Sequence, residues 1–207
     1  MRGLSDTLAK AAAHGRLTFL CSFQKEESVI LDALVEGSVA ARVVTIDTGV
    51  LFPETLATWK AFEDRFGVTI EVEDAADHAH PYTGRVGSDS HCCSLGDPPP
   101  KVAALERALA GSDAWITGIR REQGPTRAAT EHVEWDQKRS MWKYNPLAEW
   151  TEKDLWQQIH ARGLPYNDLH DRGYESIGCA TCTQAGAGRE GRWAGLDKTE
   201  CGLHVEA

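Results

Sequence analysis

Leu17-Thr18-Phe19-Leu20-Cys21-Ser22 is a short run of apolar and small residues, and Phe23-Gln24-Lys25-Glu26-Glu27 interrupts it with a polar turn before Val29 to Val35 resume at helical spacing. A run of that length bounded by polar residues fits a buried strand, and the spacing after it fits a helix packed on one side. The same order returns downstream. Arg42-Val43-Val44-Thr45-Ile46-Asp47 is β-branched and stops at Thr48-Gly49, after which Pro53 opens a helix carrying Leu56, Trp59, Phe62 and Phe66 on one side. Val68 to Val72 predicts a third strand, Val102 to Leu109 a helix, and Ala114-Trp115-Ile116-Thr117-Gly118-Ile119 a further buried strand ending in a glycine. Strands alternating with helices of this size need crossover connections between parallel neighbours, so the expected fold is α/β with a doubly wound parallel sheet covered on both faces.

Ligands of such sheets bind beyond the carboxyl ends of the strands. Ser22 to Glu27, Thr48 to Phe52 and Gly118 to Arg127 are the loops expected at that edge. Thr151-Glu152-Lys153-Asp154 has the form of a capping box, Leu155, Trp156 and Ile159 continue it, and Gly163 with Pro165 supplies the stop. Asp97-Pro98-Pro99-Pro100 predicts a stiff, non-helical segment. From Gly173 to Ala207 the chain is rich in glycine, cysteine and charge with little periodicity, which suggests a cofactor-binding loop and, over 183–207, a mobile tail.

The 207 residues fit one domain, 1–207, and 22 basic against 31 acidic side chains give a formal charge of −9. That balance disfavours nucleic acid, whose binders carry a basic face, and leaves small anions held by a local cluster of arginines. No apolar run approaches the ~20 residues of a membrane span, and Met1 to Arg16 lacks the apolar core of a signal peptide. A cytoplasmic location with reduced thiols is therefore expected, and a disulfide framework is not.

Six cysteines remain to be explained. Cys92-Cys93 and Cys179-Ala180-Thr181-Cys182 are two close pairs far apart in sequence, a layout that a compact fold can converge into a four-thiolate metal site. Thiolates select zinc or an iron-sulfur cluster over magnesium or calcium. Adjacent cysteines are unusual in zinc ribbons and favour the cluster, while spacing alone also admits buried thiols beside a CxxC redox pair. Cys21 ends an apolar strand and reads as core. Cys201 stands near the chain end, where exposure and mobility are expected, with Lys198 and His204 close enough in sequence to favour its thiolate. A nucleophile so placed can meet first a ligand and then a partner protein.

These motifs together resemble the assimilatory adenylyl-sulfate (APS) and phosphoadenylyl-sulfate (PAPS) reductases. The resemblance is carried by Ser22 to Ser28, Asp47 to Thr55, Thr117 to Gln123, Asn145-Pro146-Leu147, Pro165 to His170 with Gly173-Tyr174, Ser176 to Cys179, and Glu200-Cys201-Gly202-Leu203-His204. It runs from about Leu17 to the end, and it implies an adenine-nucleotide α-hydrolase-like fold. It further implies a [4Fe-4S] cluster on Cys92, Cys93, Cys179 and Cys182, with Cys201 as nucleophile. Ser22, Gln24, Leu51 and Gly118 match positions that contact the nucleoside; Arg127, Arg189, Arg192 and His204 match positions that contact ribose or phosphosulfate. Guanidinium groups suit that role, because they grip phosphate oxygens bidentately and absorb the charge of a departing phosphate.

The implied reaction is attack of Cys201 on the sulfur of APS, leaving an S-sulfocysteine that thioredoxin or glutaredoxin, supplied as a separate chain, resolves to sulfite. A PAPS reductase of the same mechanism and a non-catalytic iron-sulfur redox regulator are the competing readings, and the oligomeric state stays open, a homo-oligomer included. An ATP pyrophosphatase of this fold would need a glycine-rich phosphate loop, which Gln24-Lys25-Glu26-Glu27 does not supply. Two features depart from the family. Gly96-Asp97 stand where a basic pair is usual, leaving Lys101 or Lys143 to substitute, and Trp193-Ala194-Gly195 stands in place of three tryptophans.

Overall fold

The computed structural model describes residues 3–76, 92–93, 95–194, 198 and 200–204. All four side chains of β1 (Leu17–Leu20) are buried, which a strand tolerates when both sheet faces are covered, and β1 accordingly lies inside the sheet. It pairs in parallel with β2 (Arg42–Asp47) on one side and β4 (Ala114–Ile116) on the other. β3 (Glu71–Asp74) continues in parallel beyond β2, and β6 (Met141–Tyr144) beyond β4. β5 (Val133–Asp136) runs antiparallel to β6, so the order is β3-β2-β1-β4-β6-β5.

Two apolar layers flank the sheet. Phe19, Ile30, Phe62, Leu147 and Leu155 belong to one, into which α1 (Leu4–Ala11), α2 (Lys25–Glu36), α3 (Pro53–Phe66) and α5 (Glu152–Arg162) send their buried sides. Leu20, Ile46, Leu105 and Trp115 form the other, with α4 (Pro100–Leu109) and the C-terminal loop. After β1 the chain builds outward through β2 and β3, then returns to place β4 on the far side of β1. The reversal leaves a crevice at the carboxyl ends of β1 and β4, where Cys21 to Gln24 and Thr117 to Ile119 emerge.

The doubly wound expectation holds, but the sheet is mixed. The β5–β6 hairpin was not legible because an edge hairpin needs no continuous apolar run; its Trp135 and Trp142 form a half-exposed T-shaped pair with centroids 5.2 Å apart. The third strand begins at Glu71 instead of Val68, since Ile70 is buried before the pairing starts and Val72 faces outward at 50% exposure. Leu56 is likewise exposed, and α3 buries Thr55, Thr58, Phe62 and Phe66 instead. Pro100 opens α4, where its missing N–H is no loss, so the stiff segment ends one residue earlier than expected. α5 starts as read: the Thr151 hydroxyl accepts the Asp154 N–H at 3.2 Å, the Asp154 carboxylate accepts the Thr151 N–H at 2.9 Å, and Gly163 ends the helix at φ 58°.

Candidate active site

A cavity of about 120 Å³ opens at the crevice between β1 and β4. Ser22 and Gln24 reach it from the end of β1, Gly118 from the end of β4, and Leu51 from the loop after β2. Arg127, Arg189, Arg192, Cys179, Cys201 and His204 complete its wall, so every nucleoside and anion contact implied by the resemblance lines one space.

Local contacts explain these placements. A Cβ at Gly118 would lie 2.7 Å from Glu27 Oε1 and 3.0 Å from the Glu26 Cβ, so glycine is what lets β4 end against the start of α2. The Gln24 side chain pins the C-terminal loop, its oxygen accepting the Ile177 N–H at 3.0 Å while its amide donates to the Ile177 carbonyl. Leu51 bridges Cys179, and the Ala180 N–H donates to the Val50 carbonyl at 2.8 Å, stapling the β2 loop to the CxxC segment. Gly178 admits Arg192: a Cβ there would stand 2.5 Å from the guanidinium, which instead spreads 4.5 Å from the Trp193 ring centroid. Glu27 caps α2 by accepting the Gln24 N–H at 2.7 Å, and burial, with the Glu26 carboxylate beside it, pushes its carboxyl up to about 8.

Cys92, Cys93, Cys179 and Cys182 are all buried, and none forms a disulfide. Cys92 Sγ stands 3.6 Å from Cys179 Sγ, the Thr48 hydroxyl 3.2 Å from the same sulfur, and the Trp193 indole N–H donates to Cys93 Sγ at 3.2 Å. Hydrogen bonds from Cys182 and Cys92 hold the Cys179 thiol well below the usual range, and a hydrogen bond from Cys92 takes Cys93 down to about 5. Burial works against the Lys101 ammonium, yet the negative charge that Cys179, then Cys201 and Cys92, carry as thiolates outweighs it and raises the Lys101 pKa.

Among the described residues no three His, Cys, Asp or Glu side chains are arranged to hold a single metal ion. The donor chemistry nonetheless fits a thiolate-bound cluster: four sulfurs gather from two loops, indole and hydroxyl groups reach them, and the partly buried Lys101 ammonium offsets their charge.

Several expectations change. Cys201 is only 8% exposed, packed beside Leu203 against the thiol layer. Lys198 donates to the Cys93 carbonyl at 2.8 Å. His204 stacks on Trp115 at 5.7 Å and 5°, and burial, then Arg127 and Lys143, drive its pKa well below the usual value, so it brings no positive charge to Cys201. Arg120 and Arg121, in the loop after β4 where a ligand is expected, are not in the cavity lining. Arg120 is buried against Glu26, Glu122 and Glu152, and Arg121 binds Glu131 and Glu149. Of the two candidate substitutes for the missing basic pair, Lys143 is paired to Glu134 at 2.9 Å and Lys101 lines the cavity. The segment from Arg85 to His91, whose sequence could supply a cation for a further phosphate, lies outside the described residues. With Ala194 beside it, Trp193 is fully buried and carries the aromatic packing under Arg189 and Arg192.

Sequence reasoning gave Glu200 no role. Its carboxylate accepts Arg127 Nε at 2.9 Å, Arg127 Nη2 at 2.8 Å, Arg189 Nη2 at 3.0 Å and the Thr126 hydroxyl at 3.0 Å. The signal available was its position next to Cys201.

Comparison with known proteins gives the family and the fold. The sequence pattern of the phosphoadenosine phosphosulfate reductase domain matches residues 16–185. An adenosine 5'-phosphosulfate reductase of Geobacillus kaustophilus (strain HTA426) is 39% identical over 99% of this chain and 91% of its own. Adenosine 5'-phosphosulfate reductase 1 of Bacillus subtilis (strain 168) is 39% identical over 98% and 91%. Among solved structures, the phosphoadenylyl-sulfate reductase of Candida auris, a phosphate complex, superposes with a TM-score of 0.68 at 24% identity over 88% of this chain and 90% of that one. The FMN adenylyltransferase of Candida glabrata does so with 0.63 at 17% identity over 89% and 60%. At these identities the structures speak for the fold alone.

Proposed function

This chain belongs to the phosphoadenosine phosphosulfate reductase family, and from that premise we propose that it reduces adenosine 5'-phosphosulfate to sulfite and AMP through Cys201. The observation that supports it most directly is the meeting of Cys201 with Arg127, Arg189 and Arg192 around one cavity at the carboxyl edge of the sheet. Ser22, Gln24, Leu51 and Gly118 line the same cavity from the turns that follow the strands, which suits the nucleoside.

The Cys201 thiolate attacks the sulfuryl sulfur. A sulfur-sulfur bond forms as the sulfur-oxygen bond to the phosphate breaks, and AMP leaves with that electron pair. The arginines neutralise the phosphate oxygens as charge grows on them, an effect strengthened by a dry cavity. A dithiol protein of the thioredoxin or glutaredoxin kind then attacks Cys201 Sγ, and sulfite departs with the bonding pair. The second thiol of that partner resolves the mixed disulfide, returning the Cys201 thiol and supplying two electrons in all.

Cys92, Cys93, Cys179 and Cys182 would hold a [4Fe-4S] cluster. Bound there, the cluster supplies a fixed local charge and a structural tie between the two loops. Lys101 lies toward both the thiols and Cys201, so its ammonium orients an anionic substrate without any basic residue at Gly96 or Asp97.

The substrate lacks a 3′-phosphate in this reading. Among the described residues the cations lining the cavity are Lys101, Arg127, Arg189 and Arg192, and the phosphosulfate engages the arginines. A second phosphate would be desolvated without a partner. The test is sulfite release with thioredoxin as reductant, comparing kcat/KM for the two nucleotides, alongside Cys201→Ser. Turnover is expected to favour APS and to vanish in Cys201→Ser while AMP binding persists. Wild type given APS without reductant should gain one SO₃ on the peptide containing Cys201. Equal efficiency with PAPS overturns the specificity, and turnover by Cys201→Ser overturns the nucleophile.

A further inference from the structure

We propose that the Glu200 carboxylate is a resident counter-anion of the Arg127–Arg189 pair, and that the ligand's phosphosulfate takes those arginines by displacing it, which releases the segment holding Cys201. The proposal rests on reading the cavity as the phosphosulfate site.

Arg127 has no free fork. Its Nε and Nη2 edge grips the two Glu200 oxygens at 2.9 Å and 2.8 Å, and Nη1 donates to the Gln123 amide oxygen at 2.6 Å. Arg189 adds a third bond to Glu200 at 3.0 Å, and the Thr126 hydroxyl a fourth at 3.0 Å. The carboxylate is 13% exposed and the Arg127 side chain 9%, so water screens this contact little. A planar carboxylate in a guanidinium fork has the geometry that a phosphate or sulfate oxygen pair would have there.

The remaining space points the same way. At about 120 Å³ the cavity is smaller than the roughly 300–1,000 Å³ of pockets that enclose a ligand of nucleotide size. Arg192 Nε and His204 Nδ1 are buried in the same wall and make no hydrogen bond among the described residues. An oxyanion in this wall therefore has an unpartnered N–H available at Arg192. It gains the Arg127 fork only by exchange with Glu200. Because Glu200 and Cys201 are consecutive, that exchange moves the backbone on which the buried Cys201 thiol is held. Only an anionic ligand can drive it, since a neutral nucleoside makes no differential contact with the two states.

The test uses wild type and two variants of the full chain, with two readouts. Wild type, Glu200→Gln and Glu200→Asp are titrated calorimetrically with AMP, and alkylation of Cys201 by iodoacetamide is followed by mass spectrometry of its peptide. Glu200→Gln keeps the shape but loses the charge, so AMP should bind roughly ten-fold tighter, as when a competing closed state is removed. Glu200→Asp should resemble wild type. In wild type, millimolar inorganic sulfate should accelerate alkylation several-fold over chloride at equal ionic strength, and adenosine should not. In Glu200→Gln alkylation should already be fast and indifferent to sulfate. AMP binding to Glu200→Gln that is unchanged or weaker makes Glu200 a support for the arginines and overturns the proposal, as does alkylation indifferent to sulfate in wild type. Absence of AMP binding in all three proteins would instead strike the nucleotide reading, and the sulfate arm would still decide the exchange.

Discussion

Glu26 and Glu27 are adjacent, buried and chemically alike, yet their protons behave oppositely. Glu26 has a cationic partner: burial opposes its charge, but Lys25 and Arg120 overcome it and hold the carboxyl below its usual value. Glu27 has none among the described residues, so burial and the Glu26 charge raise it to about 8. A carboxyl raised in the folded state keeps its proton where the unfolded chain has lost it. Its contribution to stability is full below about pH 4 and disappears as pH rises through 8, at about 1.4 kcal/mol per pH unit between. Glu27→Gln should remove that slope, so that chemical denaturation at pH 5 and at pH 8 differs less for the variant than for wild type. Parallel pH profiles for the two proteins would show that Glu27 is not protonated in the fold. The sequence disclosed both carboxylates, but the asymmetry depends on Lys25 and on Arg120, which comes from a distant loop and whose three acidic partners only the fold brings to it.

At the scale of elements, legibility followed burial. β1, β2 and β4 are covered on both faces and write themselves as apolar runs, whereas β3, β5 and β6 keep a polar or exposed face and were shifted or missed. α5 was readable because its ends are local chemistry, with Thr151 and Asp154 at one end and Gly163 at the other. Such a cap contributes independently of the cavity, so Thr151→Ala should cost about 1 kcal/mol. Urea unfolding should show a lower midpoint with the same slope, and AMP affinity should not change. A change in AMP affinity would mean that α5 supports the cavity through Glu152, which binds both Lys25 and Arg120.

Across the whole molecule, the two cysteine pairs join parts that the sheet alone leaves separate. Cys92 and Cys93 lead into α4, Cys179 and Cys182 lie in the loop pinned by Gln24 and Val50, and Trp193 and Lys198 bring the tail onto Cys93. The spacing of these cysteines in the sequence allowed the two pairs to converge, with buried thiols beside a CxxC redox pair as the alternative. It did not decide between Lys101 and Lys143 as the cation sharing the cavity with Cys179 and Cys201, or show that Glu200 would hold the arginines, because both depend on how the tail docks. A cluster bound by all four thiols would therefore stabilise the loop, the start of α4 and the tail together, since metal binding to a folded site adds to folding free energy. Cys179→Ser should bleach the visible absorption of the iron-bound protein and lower Tm by several degrees, at roughly 2–4 °C per kcal/mol for a chain of this size. Because Cys179 also lines the cavity, AMP should bind the bleached variant more weakly, and hydrogen exchange should quicken in peptides from both loops while β1 and β4 stay protected. A variant that bleaches without any change in Tm, AMP binding or exchange would make the cluster an appendage of the fold, and a colourless wild type with stoichiometric zinc would replace it altogether.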